Sequence, residues 1–176
     1  MKFVTANPNK LIEFQTAIPN LEKLDIDLAE IQDKDPKKVT EHKLNEGANL
    51  IEGDFFCEDT SLELESMNGY PGPFIKWFAK GLEYQHFYDI CKSKNNFNVT
   101  ARTIIGLRHN NQNHFLEGSV KGTIVPPKGE AFGFDVIFKP EGSDKRFSEM
   151  TREEKLAVSH RGNAIRKLKD FYTNLN

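Results

Sequence analysis

The stretch Phe55-Phe-Cys-Glu-Asp-Thr-Ser-Leu-Glu-Leu64 decides how this chain of 176 residues folds. A short apolar run stops at two adjacent carboxylates, Glu58 and Asp59, and two hydroxyl side chains follow them. We expect a buried strand that ends on these acids, because ligand crevices in open α/β sheets lie at the carboxyl ends of strands. Carboxylates at that edge can hold a hard divalent cation or accept a proton from water. An isolated acid pair is more often just the solvated end of a strand.

The residues that follow favour a functional site over a solvated strand end. A corner at Pro71-Gly72-Pro73 leads into the start of a helix, where proline and glycine are ordinary punctuation. Lys76 is less ordinary, because its neighbours within Phe74–Phe78 are aromatic or aliphatic. A lysine in that setting suggests a charge directed at a ligand.

The composition indicates a globular protein with a sizeable core, since 38% of the residues are hydrophobic and 28% are charged. The length suits one compact domain or two lobes that share a cleft. A net charge of −2 argues against nucleic acid as a partner. Cys57 and Cys91 are far apart and form no Cys-x-x-Cys motif, which predicts reduced thiols in a cytoplasmic protein. We also expect no signal peptide and no membrane partner, because no apolar run approaches membrane-spanning length.

A polar turn near the start of the chain has the composition of a phosphate site. A short strand through Phe3–Thr5 meets Ala6-Asn7-Pro8-Asn9-Lys10, and apolar residues then recur at helical spacing over Leu11–Ile18. A strand, a tight turn and a helix together aim backbone N–H groups at phosphate oxygens. Lys10 adds an ammonium group, but there is no Gly-x-x-x-x-Gly-Lys motif. An Asn-Pro turn that merely opens a helix is the alternative interpretation.

Periodicity predicts the other main elements. They are a strand at Leu24–Leu28, a charged loop at Asp33–Lys38, helices at Val39–Gly53 and Leu82–Lys94, and two antiparallel strands at Thr100–Arg108 and His114–Val125. Within the first helix, Lys43 is either a surface lysine or a side chain directed into a neighbouring cleft. Gly118 and Gly122 in the last strand indicate bulges or the close approach of another backbone.

The stretch Phe132-Gly133-Phe134-Asp135 is the second informative segment. Two aromatic rings around a glycine, followed by an acid, can stack on a nucleic base and then hydrogen-bond its edge. The alternative is that these are core aromatic residues leading into a strand at Val136–Phe138.

The last two predicted helices begin at recognisable caps. Thr151 and Glu154 form a capping box, and Ser159 can cap the helix that follows. His160 and Arg161 lie at the start of that final helix, where donors can meet an anion or a carbonyl group. The pair alone is weak evidence of a site.

Taken in order, these segments closely resemble the inosine triphosphate pyrophosphatase family from about residue 3 to about residue 170. The motifs are Thr5-x-Asn7-x-x-Lys10, Glu58-Asp59-Thr60, Pro71-Gly72-Pro73-x-x-Lys76-Trp77-Phe78, Phe132–Asp135, Glu149-Met150 with Glu154-Lys155, and Ser159-His160-Arg161. The resemblance implies an α/β fold in one domain, residues 1–176, with an elongated mixed central sheet and two α/β lobes flanking a substrate cleft. It also implies hydrolysis of ITP, dITP or XTP to the monophosphate and pyrophosphate, dependent on Mg²⁺ with Mn²⁺ as an alternative, in a homodimer.

The same resemblance assigns roles to individual residues. Asp59 would be the catalytic carboxylate that orients or deprotonates water, and Glu30 and Asp59 would bind the metal. The substrate-binding residues would be Thr5, Ala6, Asn7, Pro8, Asn9, Lys10, Lys43, Thr60 and Lys76 at the phosphates, and Phe132, Gly133, Phe134, Asp135, Lys155, His160 and Arg161 at the base. The assignments make physical sense, because a metal and lysines neutralise the charge that shifts onto leaving pyrophosphate.

The chain departs modestly from the family pattern. Ala6 stands where glycine is common, Val136 stands where proline is frequent, and the helical lobe around residues 79–96 is lean. A catalytically silent nucleotide-binding or sensing protein on the same scaffold is one alternative, although it would have no need for Glu30 and Asp59. A second is the related septum-associated pyrophosphatases of modified pyrimidine nucleotides, which would carry a different base-reading end.

Overall fold

The computed structural model describes residues 1–174 and contains a seven-stranded mixed sheet. The strands are β1 (Lys2–Val4), β2 (Glu22–Leu24), β3 (Phe55–Leu64), β4 (Pro71–Gly72), β5 (Asn98–His109), β6 (Gln112–Ile124) and β7 (Phe138–Pro140). The order across the sheet is β2-β1-β3-β5-β6-β7, and β4 pairs with β3. β1 runs parallel to β2 and β3, whereas the other pairs are antiparallel. The predicted mixed α/β fold is therefore confirmed.

Helices cover both faces of the sheet. They are α1 (Pro8–Ala17), α2 (Pro36–Gly47), α3 (Ile75–Gly81), α4 (Tyr84–Ser93), α5 (Arg152–Val158) and α6 (His160–Thr173), with short 3-10 helices at Glu65–Met67, Gly133–Val136 and Phe147–Glu149. The predicted caps are confirmed, because Thr151 forms a capping box with Glu154 and the Ser159 hydroxyl accepts the amide of Gly162. Among the described residues, no helix is both long and apolar enough to cross a lipid bilayer.

The expected end of β3 at the acid pair is wrong. β3 continues to Leu64, and Glu58 and Asp59 lie near its middle, opposite Ile105 and Ile104 of β5. Both acids are buried, and Lys10 and Arg161 from other elements offset the cost of burying the charge of Glu58. The strand therefore has no need to stop where the sequence becomes acidic.

Other boundaries also differ from the sequence-based expectation. The first helix starts at Pro8 and α2 starts at Pro36, because Asn7 and Asp35 accept amides of the following turns. α2 ends at Gly47, earlier than expected. The predicted strand at Leu24–Leu28 is replaced by β2, which ends at Leu24. The predicted strand at Val136–Phe138 is wrong too, since a 3-10 helix there precedes the short β7.

The long hairpin of β5 and β6 is confirmed, as is the expected close approach at Gly118. Gly118 faces α6, and a Cβ atom there would lie 2.2 Å from the backbone oxygen of His160. Glycine thus lets the amino end of α6 rest on the sheet and fixes where His160 and Arg161 stand.

The core is divided along the long strands β3 and β5. Phe56 packs with Phe3 and Phe14 near one end of β3, while Leu62 and Leu64 join a second apolar cluster near the other end. Between these clusters, β3 carries polar side chains instead of apolar ones. These polar side chains separate the two apolar clusters, and several of them line the cleft described below.

Candidate active site

The main cleft has a volume of about 570 Å³ and opens at a gap along one edge of β3. β1 pairs with β3 at Phe55 and Phe56, and β4 pairs with it at Leu62 and Glu63. Between these two pairings, the same edge of β3 has no neighbouring strand from the described part of the chain. Side chains from both faces of β3 can therefore reach the cleft there. Glu58, Asp59 and Thr60 all line the cleft for this reason.

The Thr5–Lys10 turn forms one wall of the cleft. The Thr5 hydroxyl accepts the amide of Asn7 at 3.1 Å, and the Asn7 side chain accepts the amides of Asn9 and Lys10 at 3.0 and 3.4 Å. These bonds shape the turn and begin α1 at Pro8. Lys10 then reaches into the cleft and forms an ion pair with Glu58.

Glu58 is the anion around which this side of the cleft is organised. Its carboxylate accepts the Thr60 hydroxyl at 3.0 Å and lies 3.5 Å from Nη2 of Arg161. Burial alone would raise the pKa of Glu58, but the charges of Lys10 and Arg161 hold it at about 2. Glu58 is therefore ionised at neutral pH and keeps two cations in place.

Glu30, Lys43 and Asp59 form the opposite side. Nζ of Lys43 donates to Oε1 of Glu30 at 2.9 Å and to the Glu58 carbonyl at 3.1 Å, and Lys76 approaches Glu30 at 3.5 Å. Burial raises the pKa of Asp59 to about 6; Lys43 and Lys10 oppose this rise, and Glu58 and Glu30 add to it. Oδ2 of Asp59 is buried without a hydrogen-bond partner among the described residues.

This side of the cleft fits a magnesium ion. The described chain contains no group of three or more His, Cys, Asp or Glu side chains placed to hold a metal. Magnesium does not require one, because it keeps several waters and binds through one or two carboxylates and the substrate phosphates. Asp59, whose Oδ2 has no partner among the described residues, and Glu30 line the same cleft and are the two carboxylates that could bind such an ion.

The far end of the cleft is aromatic and is crossed by an ionic network. Phe132 and Gly133 line the cleft, and the buried ring of Phe134 lies 5.6 Å from the ring of His160. Nζ of Lys155 lies 2.5 Å from both Oδ2 of Asp135 and Oε1 of Glu13. An apolar surface beside fixed donors and acceptors suits a flat, heteroaromatic ligand.

His160 is a neutral group at this end. Burial and the charges of Arg161 and Lys155 lower the pKa of His160 well below its ordinary value. Its Nδ1 is buried and has no partner within the described chain. His160 can therefore donate to or accept from a ligand without carrying charge.

Glu13 belongs to this network, although the sequence analysis did not select it. It pairs with Lys155 and with Arg161, and these two cations hold the pKa of Glu13 at about 2 despite its burial. Its position three residues after Lys10, on the same side of α1, was the available signal. Glu58 was part of the acid motif, but its role as a partner of Lys10 and Arg161 was not foreseen.

The structure gathers the predicted site residues around one cleft. Those that line it are Thr5, Ala6, Asn7, Pro8, Lys10, Glu30, Lys43, Asp59, Thr60, Lys76, Phe132, Gly133, Phe134, Asp135, Lys155, His160 and Arg161. Asn9 is not among the lining residues, because its side chain is exposed on the first turn of α1 and only its amide joins the turn. The individual roles of all these residues stay predictions.

Comparisons with known proteins find similar sequences over nearly the whole chain. The family model described as the Ham1 family matches residues 1–171. An inosine triphosphate pyrophosphatase of Schizosaccharomyces pombe is 34% identical, covering 96% of this chain and 93% of the relative. A dITP/XTP pyrophosphatase of Thermococcus kodakarensis is 33% identical, covering 97% and 96%.

Solved structures share the fold. The Ham1 protein of Staphylococcus aureus superposes with a TM-score of 0.85 at 21% identity, covering 100% of both chains. A HAM1 protein from Coxiella burnetii gives a TM-score of 0.83 at 22% identity, covering 99% of each chain. At these identities the likeness concerns architecture alone.

Proposed function

This chain belongs to the Ham1 family, and on that premise we propose that it hydrolyses the deaminated purine nucleotides ITP, dITP and XTP to the monophosphate and pyrophosphate. The observation that carries the proposal is the buried oxygen of Asp59, which has no partner in residues 1–174, in a cleft that also presents Lys10, Lys43 and Lys76. A base-binding protein without chemistry would gain nothing from burying a carboxylate oxygen that has no partner, since such burial costs stability.

In this proposal the triphosphate lies along the lysine-lined side of the cleft. Asp59 orients a water molecule and accepts its proton as the water oxygen bonds to the α phosphorus. The bond from that phosphorus to the oxygen that bridges the α and β phosphates breaks, and pyrophosphate leaves. Lys10, Lys43 and Lys76 offset the negative charge that collects on the leaving group. Magnesium, bound through Asp59 and Glu30 with manganese as an alternative, would supply further neutralisation of that charge.

The base would occupy the aromatic end, with the Phe132–Asp135 turn against its face. Hypoxanthine and xanthine carry a carbonyl at position 6, where adenine carries an amino group. Lys155, His160 and Arg161 can present donors to that carbonyl. Adenine would leave those donors facing another donor, at a cost of about 1–3 kcal/mol for each buried group left unpaired. Guanine shares the carbonyl, so we attribute its exclusion to its 2-amino group.

We also propose a cytoplasmic homodimer that removes these nucleotides from the cellular pool. Both cysteines are buried and free, which supports a reducing compartment. The homodimer is an expectation from the family resemblance, and size-exclusion chromatography with light scattering tests it directly.

The decisive experiment measures pyrophosphate release from ITP, XTP, GTP, ATP and dUTP with Mg²⁺. We expect much faster pyrophosphate release from ITP and XTP than from GTP, and release from GTP at least as fast as from ATP. EDTA should abolish the release, and excess Mg²⁺ should restore it. Binding of ITP without release of pyrophosphate would identify the silent alternative. Preference for dUTP would instead favour a pyrimidine-directed pyrophosphatase.

A further inference from the structure

Arg146 is not among the residues that line the cleft, but it hydrogen-bonds to the segment that forms the aromatic end of the cleft. Its Nη1 atom donates to the carbonyl oxygens of Pro126 at 2.5 Å and Val136 at 3.2 Å. These two residues bound the segment 126–136, which carries the Phe132–Asp135 turn. One guanidinium group therefore joins the two ends of this segment. The Arg146 side chain is 15% exposed, and its bond to Val136 is partly buried while its bond to Pro126 is exposed.

The residues just after Arg146 hold the same segment. Glu149 accepts the Arg146 amide at 3.2 Å, lies 3.5 Å from its Nε, and pairs with Lys128 at 2.8 Å. The Ser148 hydroxyl donates to the Lys128 carbonyl at 3.4 Å. The residues 146–149 thus form a brace, defined here by these contacts, along the outer side of the segment.

The brace also packs beneath the base end of the cleft. The ring of Phe147 stacks on Phe138 at 4.7 Å and lies 5.9 Å from His160. Nζ of Lys155 lies 5.5 Å from the centre of the Phe147 ring. The brace therefore touches both the segment that faces the base and two of the residues proposed to read its edge.

Backbone hydrogen bonds already join the two ends of the segment, from the Val125 amide to the Ile137 carbonyl at 2.9 Å and from the Lys128 amide to the Val136 carbonyl at 3.2 Å. Beyond these bonds, part of the segment is open to solvent. Residues 129–131 are exposed, and Gly129 and Gly133 both have positive φ angles. A Cβ atom on Gly133 would meet nothing within 4 Å, so the turn does not press against the protein at this point. Arg146 adds a side-chain tie to the backbone bonds at the base of this segment.

We propose that Arg146 is a positioning residue for base recognition, which fixes the Phe132–Asp135 turn by tying Pro126 to Val136. This inference rests on the proposed function, because it assigns the base to the aromatic end of the cleft. Loss of the tie should free the turn and weaken contacts to the base, while the groups that act at the phosphates stay unchanged. The effect should thus fall on KM and on base selectivity more than on kcat.

Arg146→Gln and Arg146→Lys, with Lys145→Gln as the matched control, test this inference. Lys145 neighbours Arg146 but pairs with the exposed Glu154. For Arg146→Gln we expect KM for ITP to rise about tenfold and the ITP-over-ATP preference to fall by a similar factor, with kcat within about twofold of wild type. Arg146→Lys should recover part of the loss, because an ammonium can still reach one carbonyl. The control should match wild type.

Hydrogen exchange in the nucleotide-free proteins provides a second readout that does not depend on activity. Amides of residues 126–137 should exchange faster in Arg146→Gln than in the control, while those of β3 and β5 keep their rates. Unchanged exchange, or an equal loss of kcat on every nucleotide with a lower melting temperature, would overturn the positioning role. If wild-type protein releases no pyrophosphate from ITP, the proposed function itself fails, and the role of Arg146 in base recognition fails with it.

Discussion

Glu58 and Asp59 are consecutive residues whose side chains leave β3 on opposite faces and whose pKa values move in opposite directions. Glu58 pairs with Lys10 and Arg161, and its pKa falls to about 2. Asp59 keeps one oxygen buried and without a partner in the described chain, and its pKa rises to about 6. Because a strand alternates its faces, one dipeptide places a structural anion and a chemically available carboxylate at the same cleft.

Asp59→Asn should nearly abolish turnover. We expect kcat to fall by about a hundredfold or more, the contribution typical of a general base. An amide of the same shape neither accepts the proton nor ligates magnesium strongly. Steady-state pyrophosphate release from ITP checks this, with circular dichroism to confirm folding. Near-normal hydrolysis by a folded variant would remove Asp59 from the mechanism.

The same substitution should stabilise the metal-free protein. The pKa of Asp59 is higher in the folded state than its ordinary value of 3.8, so stability falls as pH rises through the window from about 4 to about 6. Asp59→Asn removes that penalty, which corresponds to about 1–3 kcal/mol at pH 7.5. Urea denaturation in EDTA should show this gain at pH 7.5 and little difference at pH 3.5. Equal effects at both pH values would contradict the electrostatic origin.

Lys10→Ala should lower kcat/KM for every nucleotide by a similar factor. Lys10 lies at the phosphate turn and pairs with Glu58, so its charge should act on the triphosphate and not on the base. Lys23→Ala is a suitable control, because Lys23 pairs with exposed Asp25. A loss restricted to one base would place Lys10 at the other end of the ligand.

Arg161→Lys should narrow the preference for ITP over ATP, by about tenfold if one buried donor is lost. Arg161 bridges Glu13 and the Glu58–Thr60 pair, and a lysine keeps the charge but cannot span both. The measurement is kcat/KM for both nucleotides. If all nucleotides lost activity equally, Arg161 would act at the phosphates, and the two ends of the cleft would be assigned the wrong way round.

Glu13→Gln should destabilise the protein at neutral pH by about 2–4 kcal/mol, because Lys155 and Arg161 would lose a buried partner. The folded pKa of Glu13 is about 2, below its ordinary 4.5, so its contribution is complete above about pH 4.5 and is lost as pH falls towards 2. Urea denaturation should show the wild-type advantage at pH 7 and a much smaller one near pH 2.5. A constant difference across this range would show that packing, not charge, causes the effect.

The sequence predicted which residues would line the cleft better than it predicted the local structure around them. The α/β fold, the hairpin and the caps at Thr151 and Ser159 follow from short-range patterns, and these predictions are confirmed. The continuation of β3 through two acids could not be predicted in this way. It depends on Lys10 and Arg161, which lie far from Glu58 in sequence.

Glu13 illustrates the same limit within the candidate site. A glutamate in the first turns of an amphipathic helix is ordinary, and nothing local marks it as buried. Its environment comes from α5 and α6, which supply Lys155 and Arg161. Hydrophobic periodicity describes one element at a time. This ion network forms only when α1, α5 and α6 pack together.

The link between Glu13 and Lys155 also has a consequence for the order of events during synthesis. The two residues are separated by 142 positions, and Arg161 pairs with Glu13 across 148. In a growing chain, the Thr5–Lys10 turn and Asp59 emerge from the ribosome long before α5 and α6. If these helices read the base as proposed, the residues proposed to act at the phosphates are made well before those proposed to select the nucleotide. On that proposal, nucleotide selectivity is among the last properties that the protein can acquire during its synthesis.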